Sequence, residues 1–327
     1  MRYISSFTDE QSKKVLLGAI VADAATLPLH WIYDRNKLRK SIKSFNKNKC
    51  EFNSAFRCPY YHPNDYPGHY KEGFPSPNGE QLLALLDIIT ESKDDEEKDG
   101  NWYALKFHSW LQSYTGRKDG PAKIFETNYT NGLRYPDCGA DDDQAMSFYK
   151  SIISFATNLE LEPLVRFHQN NDMTLDCATF YKKLLDITSS QTSKPFLEIY
   201  NENKIHASPL IKPHLDFLDE HLENPSTDKV LELWGKKFRP DASPMQAIAC
   251  HNPQAFVRIL HVLIHAKSFK DGIRKNILLG GSNVLTGMAI GSVLALYYDV
   301  PETWISHTKC LNHTGKRKLK DFFSKVM

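Results

Sequence analysis

The chain has 327 residues, of which 41% are hydrophobic and 24% are charged, proportions that are ordinary for a soluble globular protein. Its 41 basic and 39 acidic residues give a net charge of +2, and this balance argues against nucleic acid or a membrane surface as a partner. The N-terminus lacks the apolar segment of a signal peptide, and the six cysteines form no C-x-x-C pair. We therefore expect a cytoplasmic protein with reduced thiols.

The first predicted helix opens at the capping sequence T-D-E-Q, residues 8–11, and ends near Pro28. Asp23 lies close to the end of this helix, and the segment H-W-I-Y-D follows from His30. A carboxylate at a helix end often accepts a hydrogen bond from nearby backbone, which is the plain structural interpretation of Asp23. Both residues are also candidate site residues, because of the motif in which they stand.

Residues 36–79 show no regular hydrophobic period. The segment contains five prolines and several aromatic residues, so we expect a long ordered loop that packs on the body of the protein. Such a loop either covers the core or lines a cleft, and we favour the first interpretation.

A helix is predicted from about Leu82 to Ile89. The N-terminus of a helix favours anionic ligands, so the residues at its start are candidates for a site. A first-turn glutamate also stabilises a helix through the helix dipole, which is the simpler interpretation of Glu80. The candidates at this position are Asn78, Gly79, Glu80 and Gln81.

The run Asp141-Asp142-Asp143 precedes another predicted helix, over about residues 145–156. Aspartates are good helix caps. They also form the one carboxylate cluster that the sequence places in the apolar body of the chain, so binding of a divalent cation stays open as an alternative. Consecutive residues at a helix start point in different directions, and three neighbours rarely chelate one ion.

Proline-bearing loops separate the helices that we expect after residue 160. His261 and His265 are four residues apart on one of these helices, a spacing that a zinc site would use. Because no third ligand is evident nearby, two core or edge histidines are the better interpretation. Helices are expected around residues 104–114, 162–169, 174–187, 213–222, 227–235 and 254–267, with a basic helix in the tail at 316–323.

Residues 277–298 form an uncharged stretch long enough for a membrane span. We reject a span because Ser282, Asn283 and several glycines interrupt it. A turn at 279–282 followed by a helix to about Tyr298 fits better, and a helix that is apolar on all sides should lie in the middle of a helical core.

Gly287 and Gly291 would share one face of this helix and let another backbone approach closely. Long segments with a 3.6-residue period, and no long alternating pattern, predict an all-α protein. We expect one compact many-helix domain over residues 1–327.

Three motifs in this order resemble the ADP-ribosylglycohydrolases, over about residues 14–306. The sequence at residues 18–28 is similar to the family's G-x-x-x-G-D-A-x-G-x-P-x-E, residues 77–81 stand where the family has T-D-D-T-Q, and the glycine pair at 280–281 stands where it has G-G-D-x-D-[ST]. The H-W-I-Y-D segment and G-A-D-D-D-Q-A at 139–145 further resemble the J-crystallins, a branch found in the jellyfish lens.

This resemblance implies an all-helical fold with a central cleft. In active members it also implies hydrolysis of an ADP-ribosyl glycosidic bond by water polarised at two magnesium ions, a site that needs several charged oxygen ligands. Asp23 matches the family's aspartate, whereas the expected glutamate is His30 and the expected aspartate pair is Asn78-Gly79. Ser282-Asn283-Val284-Leu285 replaces the C-terminal acids.

We therefore expect no catalytic residues, no bound metal and no cofactor, and we expect the function of a structural eye-lens crystallin derived from an ADP-ribosylglycohydrolase. Two alternatives stay open: a hydrolase with a site rebuilt around Asp23, Glu80 and residues 141–143, and a metal-free binder of ADP-ribose or another nucleotide. Self-association at high concentration also stays open. The remnant of the cleft would comprise Asp23, His30, Asn78, Gly79, Glu80, Gln81, Asp141, Asp142, Ser282 and Asn283.

Overall fold

The computed structural model describes residues 10–45, 49–53, 56–93, 96–241 and 250–309. Within these ranges the chain forms α-helices joined by loops and no β-strand, which confirms the predicted all-α class. The predicted helix cap at residues 8–9 and the predicted tail helix at 316–323 lie outside the described residues. The helices are α1 (Glu10–Thr26), α2 (Arg35–Phe45), α3 (Pro77–Glu91), α4 (Gly100–Ser113), α5 (Gly120–Thr130), α6 (Ser147–Thr157), α7 (Leu161–Arg166), α8 (Asp172–Ser190), α9 (Phe196–Asn203), α10 (Lys212–Glu220), α11 (Thr227–Phe238), α12 (Gln254–His265), α13 (Phe269–Leu279), α14 (Asn283–Tyr297) and α15 (Glu302–His307).

Helix α14 lies at the centre of the molecule, as its sequence predicts. Every residue from Asn283 to Leu296 is buried, so the helix has no solvent-facing side. Its principal neighbour is α1, which is buried from Val15 to Thr26. None of the described helices combines the length and the hydropathy that crossing a membrane requires.

Glycine brings α1 and α14 into backbone contact. A Cβ placed on Gly18 would overlap the carbonyl oxygen of Gly291, and a Cβ on Gly291 would overlap the carbonyl oxygen of Gly18. Nearer the other end of the pair, Gly287 lies against the side chain of Thr26, where an added Cβ would come 3.2 Å from Cγ2 of the threonine. The helices are therefore antiparallel, and the close backbone approach predicted for this face occurs at Gly291 but not at Gly287.

Side-chain caps fix where several helices begin. In each of seven helices the residue before the first turn accepts a hydrogen bond from a backbone N–H of that turn, which satisfies a donor that the helix itself leaves free. The capping residues are Asp34, Ser76, Asp99, Asp119, Asn171, Ser226 and Ser268.

The prediction of an irregular segment over residues 36–79 is wrong for its first part, which forms α2. Asp34 caps this helix, since its Oδ1 accepts the N–H groups of Asn36 and Lys37 at 2.8 and 3.0 Å. Leu38 and Ile42, four residues apart, are buried apolar side chains of this helix, whose sequence is otherwise largely basic and polar.

Residues 49–53 and 56–76 of that segment form a loop whose aromatic residues cover core, as favoured from the sequence. Tyr61 and Tyr70 are buried, with ring centroids 4.8 Å apart. The sequence analysis gave no bounds for α5, α9, α13 and α15. Apart from α2, the other helices begin and end within a few residues of the predicted bounds.

Candidate functional site

Asp23 lies in the last turn of α1 and is buried against the start of α3. Its carboxylate accepts two hydrogen bonds from Ser76, through Oδ2 from the backbone N–H at 2.7 Å and through Oδ1 from the hydroxyl at 2.5 Å. The Ser76 Oγ in turn accepts the N–H of Gly79 at 3.0 Å. Burial raises the pKa of Asp23 to about 7. Asp23 thus fixes the position of the cap that begins α3.

The same carboxylate fills the space beside Gly79. A Cβ placed on Gly79 would overlap Oδ2 of Asp23 and would approach the Cβ of Pro75 to 3.1 Å. The resemblance assigns a magnesium-binding aspartate to position 79. In this fold the position has no room for any side chain while Asp23 keeps its two bonds to Ser76.

Asn78 and Gln81 both bind Asp119, the capping residue of α5. The Nδ2 of Asn78 donates to Asp119 Oδ2 at 3.0 Å, and the Nε2 of Gln81 donates to the same oxygen at 2.5 Å. Asp119 Oδ1 accepts the N–H of Ala122 at 2.9 Å, and Gln81 Oε1 accepts the hydroxyl of Tyr149 at 3.0 Å. Burial raises the pKa of Asp119. Both carboxylate oxygens of Asp119 therefore already have donors.

Two cationic side chains lie near Asp119. Lys150, on α6, is fully buried, and its ammonium has no hydrogen-bond acceptor among the described residues. Burial lowers the pKa of Lys150 to about 7, although Asp119 and Asp142 attract the charged form. The positive charge of Arg117 also acts on Asp119 and opposes the effect of burial on the pKa of that carboxyl.

Arg117 stacks on aromatic rings that lead to His30. Its guanidinium carbon lies 4.4 Å from the centroid of the Trp31 ring and 5.8 Å from that of Tyr61. The Trp31 ring stacks on His30 with centroids 4.6 Å apart, and the Tyr61 ring lies 6.4 Å from His30. A cation over an aromatic face is an attractive arrangement. It joins the loop before α5 to the segment that follows α1.

His30 and Asn283 form a buried pair, so the structure brings together two of the predicted site residues. The Nδ1 of His30 lies 3.0 Å from Asn283 Oδ1, and the Nδ2 of Asn283 donates to the carbonyl of Leu29 at 3.1 Å. Because the amide nitrogen faces Leu29, the oxygen faces the imidazole, and Nδ1 of His30 is the donor. Burial lowers the pKa of His30 to about 3, so the ring is neutral.

The turn before α14 places Ser282 in a buried position. Gly280 and Gly281 adopt φ angles of 72° and 64°, and a Cβ on Gly280 would overlap the carbonyl oxygen of Ile32. Arg258 holds this turn by donating to the carbonyl of Gly280 at 2.9 Å. The Ser282 hydroxyl has no hydrogen-bond partner in the part of the chain that the structure describes. Ser282 therefore belongs to the turn, and no contact ties it to Asp23 or Asn78.

Glu80 anchors the loop of residues 56–76 to α3. Its Oε1 lies 2.6 Å from Nδ1 of His69, and its Oε2 accepts the hydroxyl of Tyr114 at 2.5 Å. The hydrogen bond with Glu80 raises the pKa of His69. Glu80 lies in the first turn of α3, as its structural interpretation requires, and both of its oxygens are already bonded.

The three aspartates at residues 141–143 have separate partners. Asp141 Oδ1 accepts the side-chain N–H of Asn171 at 2.8 Å, whereas Asp142 accepts the backbone N–H of Gln144 at 2.8 Å. Asp143 accepts from His251. Across the described ranges, no three His, Cys, Asp or Glu side chains are grouped so as to hold a metal ion. The helix expected here begins at Ser147, so the aspartates precede it by a short loop.

His261 is a hydrogen-bonded core histidine, as predicted. Its Nε2 donates to the carbonyl of Asn224 at 3.0 Å, which leaves Nδ1 to accept the hydroxyl of Thr227 at 2.8 Å. Both ring nitrogens are therefore used within the protein.

Three residues that shape the site were missed from the sequence. A sequence feature could have indicated Asp119, because an aspartate before Gly120-Pro121 is typical of a capped helix start. The same holds for Lys150, which stands at an inward position of an apolar helix. No feature of the sequence indicates Arg117, since a loop arginine is ordinarily exposed.

Comparison with solved structures defines the class of fold. The chain matches a chain described as an ADP-ribosylglycohydrolase-related protein complex with a TM-score of 0.54, covering 97% of this chain and 96% of that one. The sequence identity is 11%, so the likeness concerns the fold alone. The protein has an ADP-ribosylglycohydrolase-like all-α fold, as its motifs predict.

Comparison with curated sequences gives two particular relatives, both from Tripedalia cystophora. Crystallin J1A is 27% identical over 331 aligned positions, covering 91% of this chain and 92% of the relative. Crystallin J1B is 24% identical with the same coverage. No family model matches the chain. The resemblance to J-crystallins inferred from the motifs is thus confirmed over nearly the whole length.

Proposed function

We propose that this protein is a structural, crystallin-type protein without magnesium-dependent hydrolase activity. The observation that carries the proposal is the use of Asp23. Its carboxylate is bound to Ser76 and fills the volume that a side chain at residue 79 would need. Asp23, which matches the aspartate of the family motif, thus has the structural role of holding α1 against α3.

The surrounding donor set does not fit two magnesium ions, which require several oxygen ligands that are free to coordinate. Asn78 and Gln81 direct amide N–H groups to Asp119, and the Asn283 oxygen is bonded to His30. Arg117 places positive charge beside Asp119, and Lys150, whose pKa is about 7, adds to it when protonated. This positive charge repels added dications and disfavours metal binding.

The relatives support the structural part of the proposal. Two proteins named crystallins match this chain over 91% of its length. Since a crystallin functions by staying folded at high concentration, an extensive hydrophobic core suits that role. We extend the crystallin function to this chain on these grounds.

A hydrolase rebuilt around Asp23, Glu80 and residues 141–143 is not supported. Glu80 is bonded to His69 in the loop before α3 and to Tyr114 at the end of α4, and Asp141 is bonded to Asn171. These carboxylates therefore serve separate contacts, and among the described residues no three such side chains are grouped so as to hold a metal ion.

A metal-free nucleotide binder is the second candidate, and one observation favours it. The Nη1 atom of Arg117 is buried and has no acceptor among the described residues, while its guanidinium stacks on Trp31. An anionic ligand that carries phosphate would use this N–H group, since guanidinium binds phosphate.

Calorimetric titration of the full chain with magnesium chloride tests the proposal, together with an assay for ADP-ribose release from ADP-ribosylated protein. An active magnesium-dependent hydrolase of this fold is the positive control. We expect no saturable heat and no release. Saturable binding of magnesium that is accompanied by hydrolysis would overturn the proposal.

A thermal-shift titration with ADP-ribose separates the two candidates, because a ligand that binds only the folded state raises the Tm. No shift in the wild type supports the purely structural role. A shift that is lost in Arg117→Gln supports the binder.

A further inference from the structure

Five asparagine or aspartate residues of this chain are followed directly by a glycine. Such a pair is chemically labile, because glycine has no side chain to shield its backbone nitrogen, and this nitrogen can attack the carbonyl carbon of the preceding side chain. The attack also requires a side chain that is free to turn toward the nitrogen. The pairs are Asn78-Gly79, Asp99-Gly100, Asp119-Gly120, Asn131-Gly132 and Asp271-Gly272.

The three aspartates in these pairs are held by hydrogen bonds. Asp99 and Asp119 cap α4 and α5 by accepting backbone N–H groups of the first turn. Asp271 Oδ2 accepts the backbone N–H of Lys267 at 2.8 Å and the ammonium of Lys275 at 2.7 Å. Each of the three glycines that follow lies inside a helix, so the backbone of these pairs is fixed as well.

Asn78 is fixed by burial and by its amide group. It lies in the first turn of α3, where only 3% of its surface is exposed, and its Nδ2 donates to Asp119 at 3.0 Å. Gly79 packs against the Asp23 carboxylate, so the peptide between the two residues has no room to turn. Four of the five pairs are therefore protected by the fold.

Asn131-Gly132 is the pair that the fold leaves open. It lies in the turn after α5, where residues 130–134 are all exposed, and the described residues provide no hydrogen-bond partner for the Asn131 side chain. Gly132 has a φ angle of 93°, and a Cβ placed on it would meet no atom within 4 Å. The N–H of Gly132 donates to the carbonyl of Tyr129 at 3.1 Å, but this bond closes a helix end, where fraying breaks such bonds. The side chain and the nitrogen can therefore meet.

We propose that Asn131 is a site of spontaneous deamidation in the folded protein. The Gly132 nitrogen attacks the side-chain carbonyl carbon of Asn131, a new C–N bond forms, and the bond from that carbon to the NH2 group breaks. The leaving nitrogen takes up the proton of the Gly132 amide and departs as ammonia, which leaves a cyclic imide. Water then opens the ring at either carbonyl, so the products are an aspartyl and an isoaspartyl residue. One water is consumed and one ammonia is released, with no change in oxidation state.

The products disturb the end of α5. Both carry a negative charge at the C-terminus of a helix, where the helix dipole disfavours it. The isoaspartyl product also adds a carbon to the backbone, so the N–H groups of Gly132 and Leu133 cannot keep their bonds to the carbonyls of Tyr129 and Asn128. Deamidation therefore loosens this turn. The inference rests on the exposure of one turn and is independent of the proposed function.

Incubation of the full chain at neutral and at mildly alkaline pH, followed by peptide mass spectrometry, tests the proposal. The mass increase locates the modified asparagine, and chromatography of the product peptides separates aspartyl from isoaspartyl. We expect Asn131 to react about tenfold faster than Asn78, or more, because Asn78 reacts only when α3 opens locally. Circular dichroism shows that the chain stays folded during the incubation. In urea the two asparagines, both followed by glycine, should react at similar rates, because the fold no longer protects Asn78.

Asn131→Gln is the matched variant, because it keeps an amide group but places the carbonyl carbon one bond farther from the Gly132 nitrogen. The Tm should fall during incubation in the wild type and stay constant in Asn131→Gln. A fall of equal size in both proteins would refute the loosening of the turn. Equal rates at Asn131 and Asn78 in the folded protein, an Asn131 that stays unmodified, or a product without isoaspartyl would each refute the proposal.

Discussion

Single residues decide the chemistry of the candidate site. The carboxylate of Asp23 fills the space that a side chain at residue 79 would need, so the two positions share one volume. The sequence predicted Asp23, Asn78 and Gly79 as site residues but not the bonds they make. Those bonds depend on Ser76 and Asp119, whose roles appear only when α1, α3 and α5 are placed in space.

Gly79→Ala should destabilise the protein by about 2 kcal/mol, within the usual range for overpacking a core, because the new methyl group overlaps the Asp23 carboxylate. Gly120→Ala is the matched control. Gly120 also lies in the first turn of a capped helix, yet a Cβ there meets only Gln144 Nε2, at 3.4 Å. Urea unfolding followed by circular dichroism measures both. Equal effects of the two substitutions would show that Asp23 does not occupy this volume.

Lys150 should make stability depend on pH. Its pKa is about 7 in the folded protein against 10.5 for an exposed lysine, so between these values the unfolded chain binds a proton that the folded chain does not. The free energy of unfolding should therefore rise with pH from about 7 to 10 through this group, by up to about 1.4 kcal/mol per unit.

Lys150→Met should flatten this rise, and Lys182→Met, at a lysine paired with Asp186 on the surface of α8, should leave it unchanged. Urea unfolding at a series of pH values measures the slopes. Parallel slopes for the wild type and Lys150→Met would mean that Lys150 is not buried as a titrating group.

At the level of helices, the pair α1 and α14 determines where the site residues lie. The sequence predicted the helix at 283–297 and its central position, because a run without charge leaves no polar face for solvent. It predicted α2, α5 and α9 poorly or not at all. Short helices have few buried positions, and their stability comes from tertiary contacts that no local pattern records.

Gly291→Ala should destabilise the protein by about 3 kcal/mol, because a methyl group there overlaps the Gly18 carbonyl and the Ala22 side chain. Gly287→Ala on the same helix is the control, since its nearest neighbours, side-chain atoms of Asn276 and Thr26 at 3.2 Å, are farther away than the Gly18 carbonyl oxygen, which a Cβ on Gly291 would overlap. Thermal unfolding of the two variants gives the comparison. A larger loss in Gly287→Ala would contradict the backbone contact at Gly291.

For the whole molecule, the composition and the 3.6-residue period of the hydrophobic residues were sufficient to predict an all-α protein. Three spaced motifs were sufficient to predict its class of fold. The network around Asp119 was not predictable, because Arg117, Asp119 and Lys150 come from a loop, a cap and a buried helix face. Their proximity depends on the packing of α3, α5 and α6. The sequence thus predicted which ligands of the family motif are replaced, and the structure gives the contacts that the residues at those positions make.

Trp304 on α15 ties distant parts of the chain together. Its ring lies 5.7 Å from that of Phe52 in the long loop and 5.9 Å from that of Phe269 at the start of α13. Trp304→Ala should cost about 3–5 kcal/mol, as for other buried aromatic residues, and should expose the loop to proteolysis. Trp304→Phe, which keeps a ring, should lose less. Limited proteolysis and urea unfolding measure the two effects, and a loop that stays resistant in Trp304→Ala would contradict this role.

The contact between Gly18 and Gly291 also bears on biosynthesis. The ribosome releases α1 long before α14, whose glycine-bearing face packs on it, has been translated. The nascent chain therefore exposes an unpaired apolar segment for most of its elongation. Chaperone dependence, and precipitation of any product that terminates before residue 283, would follow from this late pairing of the two ends.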